Sequence, residues 1–216
     1  MVENILNIKK IVIRLTSTLA LGAMLSGLVV FEISAADIGK LTQSCTDCHG
    51  KDGVSSESDI PIIAGFSEQY MLDSMAIYKD EERPCLETEY RAGENKGSKT
   101  DMCEIANDLS DEEVEEIAEF YASKKFVAAK QTTDPEKAAR GEKIHEASCE
   151  KCHEDGGRSS EDDAGILAGQ WMSYLEQSFK DYAAGDRAQA KKMKPKMEKL
   201  DGTDTENLIH YYGSLQ

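Results

Sequence analysis

Several features that define common protein classes are scarce in this chain. Basic residues are outnumbered, with 25 lysines and arginines against 41 aspartates and glutamates, so the formal net charge is −16. A surface this acidic repels phosphate groups, which excludes nucleic acid and anionic membranes as partners. Only 4 of the 216 residues are proline, and no run of alternating apolar and polar residues is long enough to predict a β-sheet. These absences favour an acidic protein built from α-helices.

Long apolar runs are also scarce, and the clearest one lies near the amino terminus. Residues 15–31 are uncharged and mostly apolar, follow three basic residues, and precede the small residues 34–36. This order is typical of a secretory signal peptide, which we predict over residues 1–36, with no stable membrane insertion after cleavage. An uncleaved anchor is the alternative, since the run is at the short limit for spanning a bilayer. Either outcome exports the remainder, and we predict a periplasmic location.

The chain does contain six cysteines, and four of them lie in two copies of Cys-x-x-Cys-His, at 45–49 and 149–153. This pentapeptide is the attachment signature of c-type haem: both thiols form thioethers with the haem vinyl groups, and the histidine binds iron. Zinc sites and disulfides also use Cys-x-x-Cys, but the histidine after both pairs favours haem. We therefore predict two covalently bound haem c groups. The predicted attachment residues are Cys45, Cys48, Cys149 and Cys152, and the predicted proximal iron ligands are His49 and His153.

An internal repeat organises the rest of the chain. A shift of 104 residues aligns the two motifs with each other and also aligns Tyr70 with Tyr174. Near the end of each copy the shift becomes 91, aligning Tyr121 with Tyr212, so the first copy holds 13 extra residues. We predict a first domain at 37–125, a linker at 126–136 and a second domain at 137–216. Each domain is too small to form a large hydrophobic core alone, so a haem would supply much of the buried apolar volume.

The local patterns predict helices throughout. Asp134 followed by a proline predicts a helix start. Capping boxes are predicted at 110–113 and 203–206, each before apolar residues at helical spacing. Residues 67–80 and 171–184 are predicted to form a middle helix in each domain.

Each haem iron also needs a ligand on the face opposite the histidine, and methionine sulfur is a common choice. Met102 and Met193 occupy equivalent positions in the repeat, seven residues before a leucine, and are the predicted axial ligands. Met197 is the competitor for the second haem. The methionines of the two middle helices are interpreted as core residues. His145 and His210 have no counterpart in the first domain and are interpreted as structural.

Cys85 and Cys103 remain, and both flank the 13 extra residues. In an oxidising compartment such a pair predicts a disulfide. The alternative is that Cys103 binds the first haem iron as a thiolate, which would open sulfur chemistry.

These motifs carry a family resemblance that covers most of the chain after residue 36. The second attachment motif, the segment 166–171 and Lys191-Lys192-Met193 resemble the diheme cytochrome subunit of flavocytochrome c sulfide dehydrogenase. The two-domain pattern more broadly resembles the cytochrome c4 family. The resemblance implies an all-α fold of two tandem class I cytochrome c domains, each around one covalent haem. Residues 81–85 and the following loop depart from the family pattern as an insertion. This changed loop, expected near the first haem, counts against a flavoprotein partner.

The resulting functional hypothesis is a diheme electron carrier and not an enzyme. A sulfide-oxidising flavoprotein is the expected donor; a free shuttle to a terminal oxidase and a diheme enzyme such as a thiosulfate dehydrogenase are the alternatives. Residues 37–125 carry a net charge of −13 and residues 126–216 a net charge of −4. We therefore expect the donor to meet the first domain. An acidic acceptor is expected to meet the lysines around Met193, which are Lys191, Lys192, Lys194, Lys196 and Lys199.

Overall fold

The computed structural model describes residues 35–216. The signal peptide predicted over 1–36 therefore lies almost wholly outside the described residues. Within them, no helix is long and apolar enough to cross a membrane. The two halves of the repeat, called below the first half (37–125) and the second half (137–216), belong to one compact unit.

The first half contains five helices and one small hairpin. In chain order they are α1 (Ala35–Leu41), α2 (Gln43–His49), a 3-10 turn (Lys51–Gly53), α3 (Glu68–Lys79), β1 (Thr88–Glu89), β2 (Lys99–Thr100), α4 (Met102–Asn107) and α5 (Asp111–Ala122). The second half repeats the helices without the hairpin. They are α6 (Pro135–Ser148), the short turn α7 (Glu154–Gly157), α8 (Met172–Ala184), α9 (Lys194–Met197) and α10 (Gly202–Ser214).

Two of the three helix starts predicted from capping chemistry are confirmed. The Asp134 carboxylate accepts from the backbone amides of Glu136 and Lys137, and Pro135 occupies the first turn of α6. Ser110 and Glu113 form the predicted capping box of α5. The box predicted at 203–206 is wrong. Asp201 caps α10 instead, because its carboxylate accepts from the amides of residues 203 and 204, both at 2.8 Å.

Each half packs its last helix against earlier helices to form a core. In the first half, α5 places Ile117 and Tyr121 against Met71 of α3. Met75 packs beside α4 and α5, so both methionines of α3 are core residues, as predicted. In the second half, α10 packs against α6 and α8 through a cluster that includes Leu208 and Tyr212.

The hairpin was not predicted from the sequence. Strands β1 and β2 pair antiparallel, with Thr88 opposite Thr100, inside the insertion of the first half. The predicted disulfide between Cys85 and Cys103 is present, with the two Cα atoms 5.5 Å apart. It joins the base of the hairpin to the first turn of α4.

The segment before α8 makes several of the hydrogen bonds between the halves. The Gln170 side chain accepts from the amide of Ile62 at 2.9 Å and donates to the carbonyl of the same residue at 2.8 Å. The Trp171 indole N–H donates to the carbonyl of Ser55 at 3.0 Å. Gln170 is fully buried. This segment carried part of the family resemblance, and in the structure it joins the two halves.

Candidate haem-binding sites

The first Cys-x-x-Cys-His motif forms the end of α2. Cys48 and His49 are both buried, and Gly50 ends the helix with a positive φ of 75°. The Nδ1 atom of His49 lies 2.8 Å from the carbonyl oxygen of Pro61. A carbonyl only accepts hydrogen bonds, so Nδ1 carries the proton and Nε2 keeps the lone pair that an iron ion needs.

The second motif follows α6 and repeats this arrangement. The Nδ1 atom of His153 lies 3.3 Å from the carbonyl oxygen of Gly165. Gly165 is separated from Pro61 by the same 104 residues that separate the two histidines. Both histidines are therefore held in the tautomer that suits metal binding, by carbonyls at equivalent positions of the repeat.

The four cysteines of the two motifs are free thiols. Burial raises the pKa of Cys45, Cys48 and Cys149, which keeps these thiols protonated at neutral pH. In each half a tyrosine of the last helix lies beside the first cysteine: Tyr121 beside Cys45, and Tyr212 beside Cys149. Because none of the four is in a disulfide, all are available for thioether attachment.

The predicted axial methionines occupy related but distinct local structures. Met102 is the first residue of α4 and packs, partly buried, against the cluster around Met75. Met193 immediately precedes α9, and Met197 ends it; both are partly buried. Cys103, next to Met102, is in the disulfide and is therefore not a thiolate ligand.

The two remaining histidines have protein partners. His145 is fully buried, with Nδ1 3.0 Å from the Tyr212 hydroxyl and Nε2 hydrogen-bonded to Glu150. His210 accepts from the backbone amide of Asp134 at 3.0 Å. Both contacts tie α6 to its surroundings, in keeping with a structural role.

Sequence reasoning missed a pair of buried arginines between the halves. Arg83 and Arg187 are 8% and 4% exposed, and they occupy equivalent positions under the 104-residue shift. The arrangement is nearly symmetric. Each guanidinium lies over a tyrosine of its own half, at 4.6 Å and 4.5 Å from the ring centres of Tyr78 and Tyr182. Each also donates to a tyrosine hydroxyl of the other half, Arg83 to Tyr174 and Arg187 to Tyr70. Extending the repeat alignment beyond Tyr78 and Tyr182 would have found them.

These arginines supply a test of whether haem fits. Among residues 37–216, no carboxylate pairs with either guanidinium, and the buried Arg187 Nε has no hydrogen-bond partner. Burial raises the pKa of Tyr174, but the two arginine charges outweigh it and lower that pKa. Buried cations are costly unless an anion neutralises them. The charge of Arg83 also lowers the pKa of His49, in addition to the effect of burial, so Arg83 lies near the first motif. Haem propionates, which are carboxylates, fit this requirement.

Two helical halves, each with an attachment motif and a carbonyl-oriented histidine, define a diheme c-type cytochrome. The family model for cytochrome c matches residues 35–124. Cytochrome c4 from Pseudomonas aeruginosa is 30% identical over 184 residues, which cover 79% of this chain and 83% of that protein. The chain belongs to the cytochrome c4 family. It is an electron carrier with two covalently bound haem c groups, and not an enzyme.

Solved structures agree with this assignment. The crystal structure of reduced recombinant cytochrome c4 from Pseudomonas stutzeri superposes with a TM-score of 0.68 at 27% identity, covering 86% of this chain and all of that one. A thiosulfate dehydrogenase from Marichromatium purpuratum superposes with a TM-score of 0.62 at 20% identity, over 79% of this chain and 36% of that one. The second likeness shows the fold alone. The predicted class of two tandem cytochrome c domains is confirmed.

Proposed function

We propose that this protein is a periplasmic carrier that receives electrons from one protein and delivers them to another, using both haems. The observation that carries this proposal is the repeated motif in which a carbonyl twelve residues downstream holds each histidine through Nδ1. Bound haem supplies a one-electron iron couple, and the chain sets its potential through the ligands and their burial. In this proposal Cys45, Cys48, Cys149 and Cys152 attach the haems, and His49 with Met102 and His153 with Met193 bind the irons.

The buried arginines have a clear role in this carrier. Arg83 and Arg187 would each neutralise a propionate between the halves, which offsets the negative charge of that propionate near the irons. An electron arriving at either haem adds negative charge, and a nearby fixed cation favours that change. The arginines therefore favour the reduced state of both haems.

The lysines around Met193 support an acidic acceptor. We call Lys191, Lys192, Lys194, Lys196 and Lys199 the lysine surface; all five are exposed. Lys196 lies close enough to Cys149 that its positive charge lowers the pKa of that thiol, against the larger effect of burial. The lysine surface therefore adjoins the second attachment motif, where it would steer a negatively charged partner towards the haem.

A sulfide-oxidising flavoprotein is the proposed donor and a free shuttle is the alternative; the resemblance of the second half to the cytochrome subunit of a sulfide dehydrogenase favours the flavoprotein. Part of that similarity lies in Gln170 and Trp171, which bind the other half of this chain. Purification from the native cells distinguishes the two possibilities. A flavin-containing subunit that stays with the cytochrome through chromatography supports the flavoprotein donor, and a cytochrome that purifies alone supports a free shuttle.

A redox titration of the purified holoprotein tests the axial ligands. We expect two reversible one-electron steps and a weak sulfur-to-ferric-iron absorption band near ~700 nm from both haems. Met102→Ala and Met193→Ala should each remove about half of the band and lower one potential. Met197→Ala is the matched control and should leave both unchanged. Loss of the band in Met197→Ala would assign that methionine instead, and irreversible or single-haem titration would contradict the carrier itself.

A further inference from the structure

The two attachment motifs differ in how far solvent reaches them. In the first motif, Asp47, Cys48 and His49 are 5%, 8% and 7% exposed. In the second motif, the equivalents Lys151 and Cys152 are exposed and His153 is only partly buried. The thioether sulfur is bonded directly to the haem substituent, so its surroundings report how open that haem edge is. The first haem edge is therefore the more enclosed of the two.

The hairpin of the insertion contacts the first motif. The backbone amides of Arg91 and Ala92 both donate to the carbonyl oxygen of Asp47, each at 3.0 Å. Asp47 is the residue immediately before Cys48. The Arg91 guanidinium also pairs with Asp59 at 2.5 Å, which fixes the same part of the hairpin to the loop after the motif. The hairpin thus lies directly on the attachment motif.

Gly93 allows this close approach. Its φ is +73°, and a Cβ atom at this position would lie 2.1 Å from a carboxylate oxygen of Asp47. Any larger residue would push the hairpin off the motif or displace the buried aspartate. The disulfide between Cys85 and Cys103 ties the base of the same hairpin to α4.

The second half has no counterpart to this element. The 13 extra residues of the first half fall within this insertion, and the second half passes from α8 to α9 without a hairpin. Its lysine surface lies around Met193, the residue equivalent to Met102. One motif is covered, and the other is exposed beside positive charge.

We propose that residues 86–100 form a cover over the first attachment motif, so that partner proteins dock at the second motif and not at the first. This inference rests on the proposed carrier function and refines it. The donor and the acceptor, each a one-electron redox protein, then use the same face in turn. The earlier expectation that the donor meets the first domain is the competing arrangement.

Solvent exposure of each haem edge in the reduced holoprotein tests the cover directly. An uncharged gadolinium chelate broadens the NMR signals of haem methyl groups that solvent can reach, and the two haems are measured separately. We expect strong broadening for the second haem and little for the first. In Gly93→Ala the broadening of the first haem should rise several-fold, while that of the second stays unchanged.

Gly97→Ala is the matched control. Gly97 lies in the same hairpin with a similar φ of +83°, but a Cβ atom there would meet nothing within 4 Å. It carries the same backbone strain without the contact to Asp47, so the first haem should stay protected. Hydrogen exchange at the Arg91 and Ala92 amides reports whether the hairpin has lifted. The double variant Gly93→Ala/Asp59→Asn is measured alongside, since it also removes the ion pair.

Two results would overturn the cover. One is equal broadening of both haems in the unmodified protein. The other is a first haem that stays protected although the two amides exchange freely in the double variant. Both are distinct from failure of the carrier function, which would appear as missing or irreversible redox steps in the unmodified protein.

Discussion

Gln170 shows how a single side chain connects the two halves. Its amide group pairs with both backbone groups of Ile62, as a neighbouring β-strand would, while the residue itself is fully buried. Its oxygen also accepts from the amide of Trp171 at 3.1 Å. Buried backbone groups without partners cost free energy, so this one amide satisfies several groups at once.

Gln170→Ala should therefore destabilise the holoprotein. We expect the free energy of unfolding to fall by about 2–4 kcal/mol, because the amide and carbonyl of Ile62 lose their partner in a buried site. Denaturant titration measures this change. Gln69→Ala is the control, since Gln69 is exposed and bonds within its own helix to the exposed Asp73. A loss no larger than that of the control would show that water replaces the amide.

For single residues, the sequence predicts those features that depend on the spacing of nearby residues. The proposed attachment cysteines and their histidines rest on one repeated pentapeptide, and the disulfide, which the structure contains, follows from the two cysteines left over. The buried arginines were not singled out, because charged residues are usually exposed and the burial of Arg83 depends on the opposite half.

Among the helices of residues 35–216, α6 and α10 make the most extensive contact. A Cβ atom on Gly141 of α6 would lie 2.1 Å from the backbone oxygen of Asn207 and 2.7 Å from the Cβ atom of Tyr211. Only glycine allows the two helices to approach to this distance. The crossing also fixes the Tyr212 side of α10 against the second attachment motif.

Gly141→Ala should separate these helices. We expect a loss of about 1–3 kcal/mol in the free energy of unfolding, since the obstacle is backbone and is not free to move aside. Gly202→Ala is the control, because a Cβ atom there meets nothing within 4 Å. It should be neutral or slightly stabilising. Equal thermal unfolding temperatures for both variants would contradict the close crossing.

Helix prediction succeeded where capping chemistry was unambiguous. The proline after Asp134 and the pairing of Ser110 with Glu113 each defined one start. The start of α10 was misplaced because Asp201, two residues earlier than expected, is an equally good cap. The hairpin escaped prediction because strands of two residues show no periodicity.

Across the whole molecule, charge is distributed unevenly. The first half is strongly acidic, whereas the lysine surface beside the second motif is a local positive region. Long-range attraction depends on this local charge more than on the net value, because salt screens charges beyond about 10 Å. An anion should therefore approach the second half faster than the net charge suggests.

Lys192→Glu/Lys196→Glu should slow oxidation of the reduced protein by hexacyanoferrate(III), a trianionic probe. We expect the second-order rate constant to fall several-fold at low ionic strength and to converge with the unmodified value at about 1 M salt, where the screening length is about 3 Å. Lys40→Glu/Lys96→Glu makes the same charge change on exposed lysines of the first half. An equal effect from this control would mean that net charge alone governs the rate.

The near-symmetry of the two halves is broken at Pro84. The amide of Ala188 donates to the carbonyl of Glu82 at 2.7 Å. The residue equivalent to Ala188 is Pro84, which has no amide hydrogen, so the mirrored bond to Asp186 does not form. Two first halves facing each other would make neither bond, whereas two second halves would offer both. If two chains exchange halves during assembly, a pair of first halves and a pair of second halves therefore differ in the number of these hydrogen bonds. The single proline at position 84 makes the two copies of the repeat inequivalent.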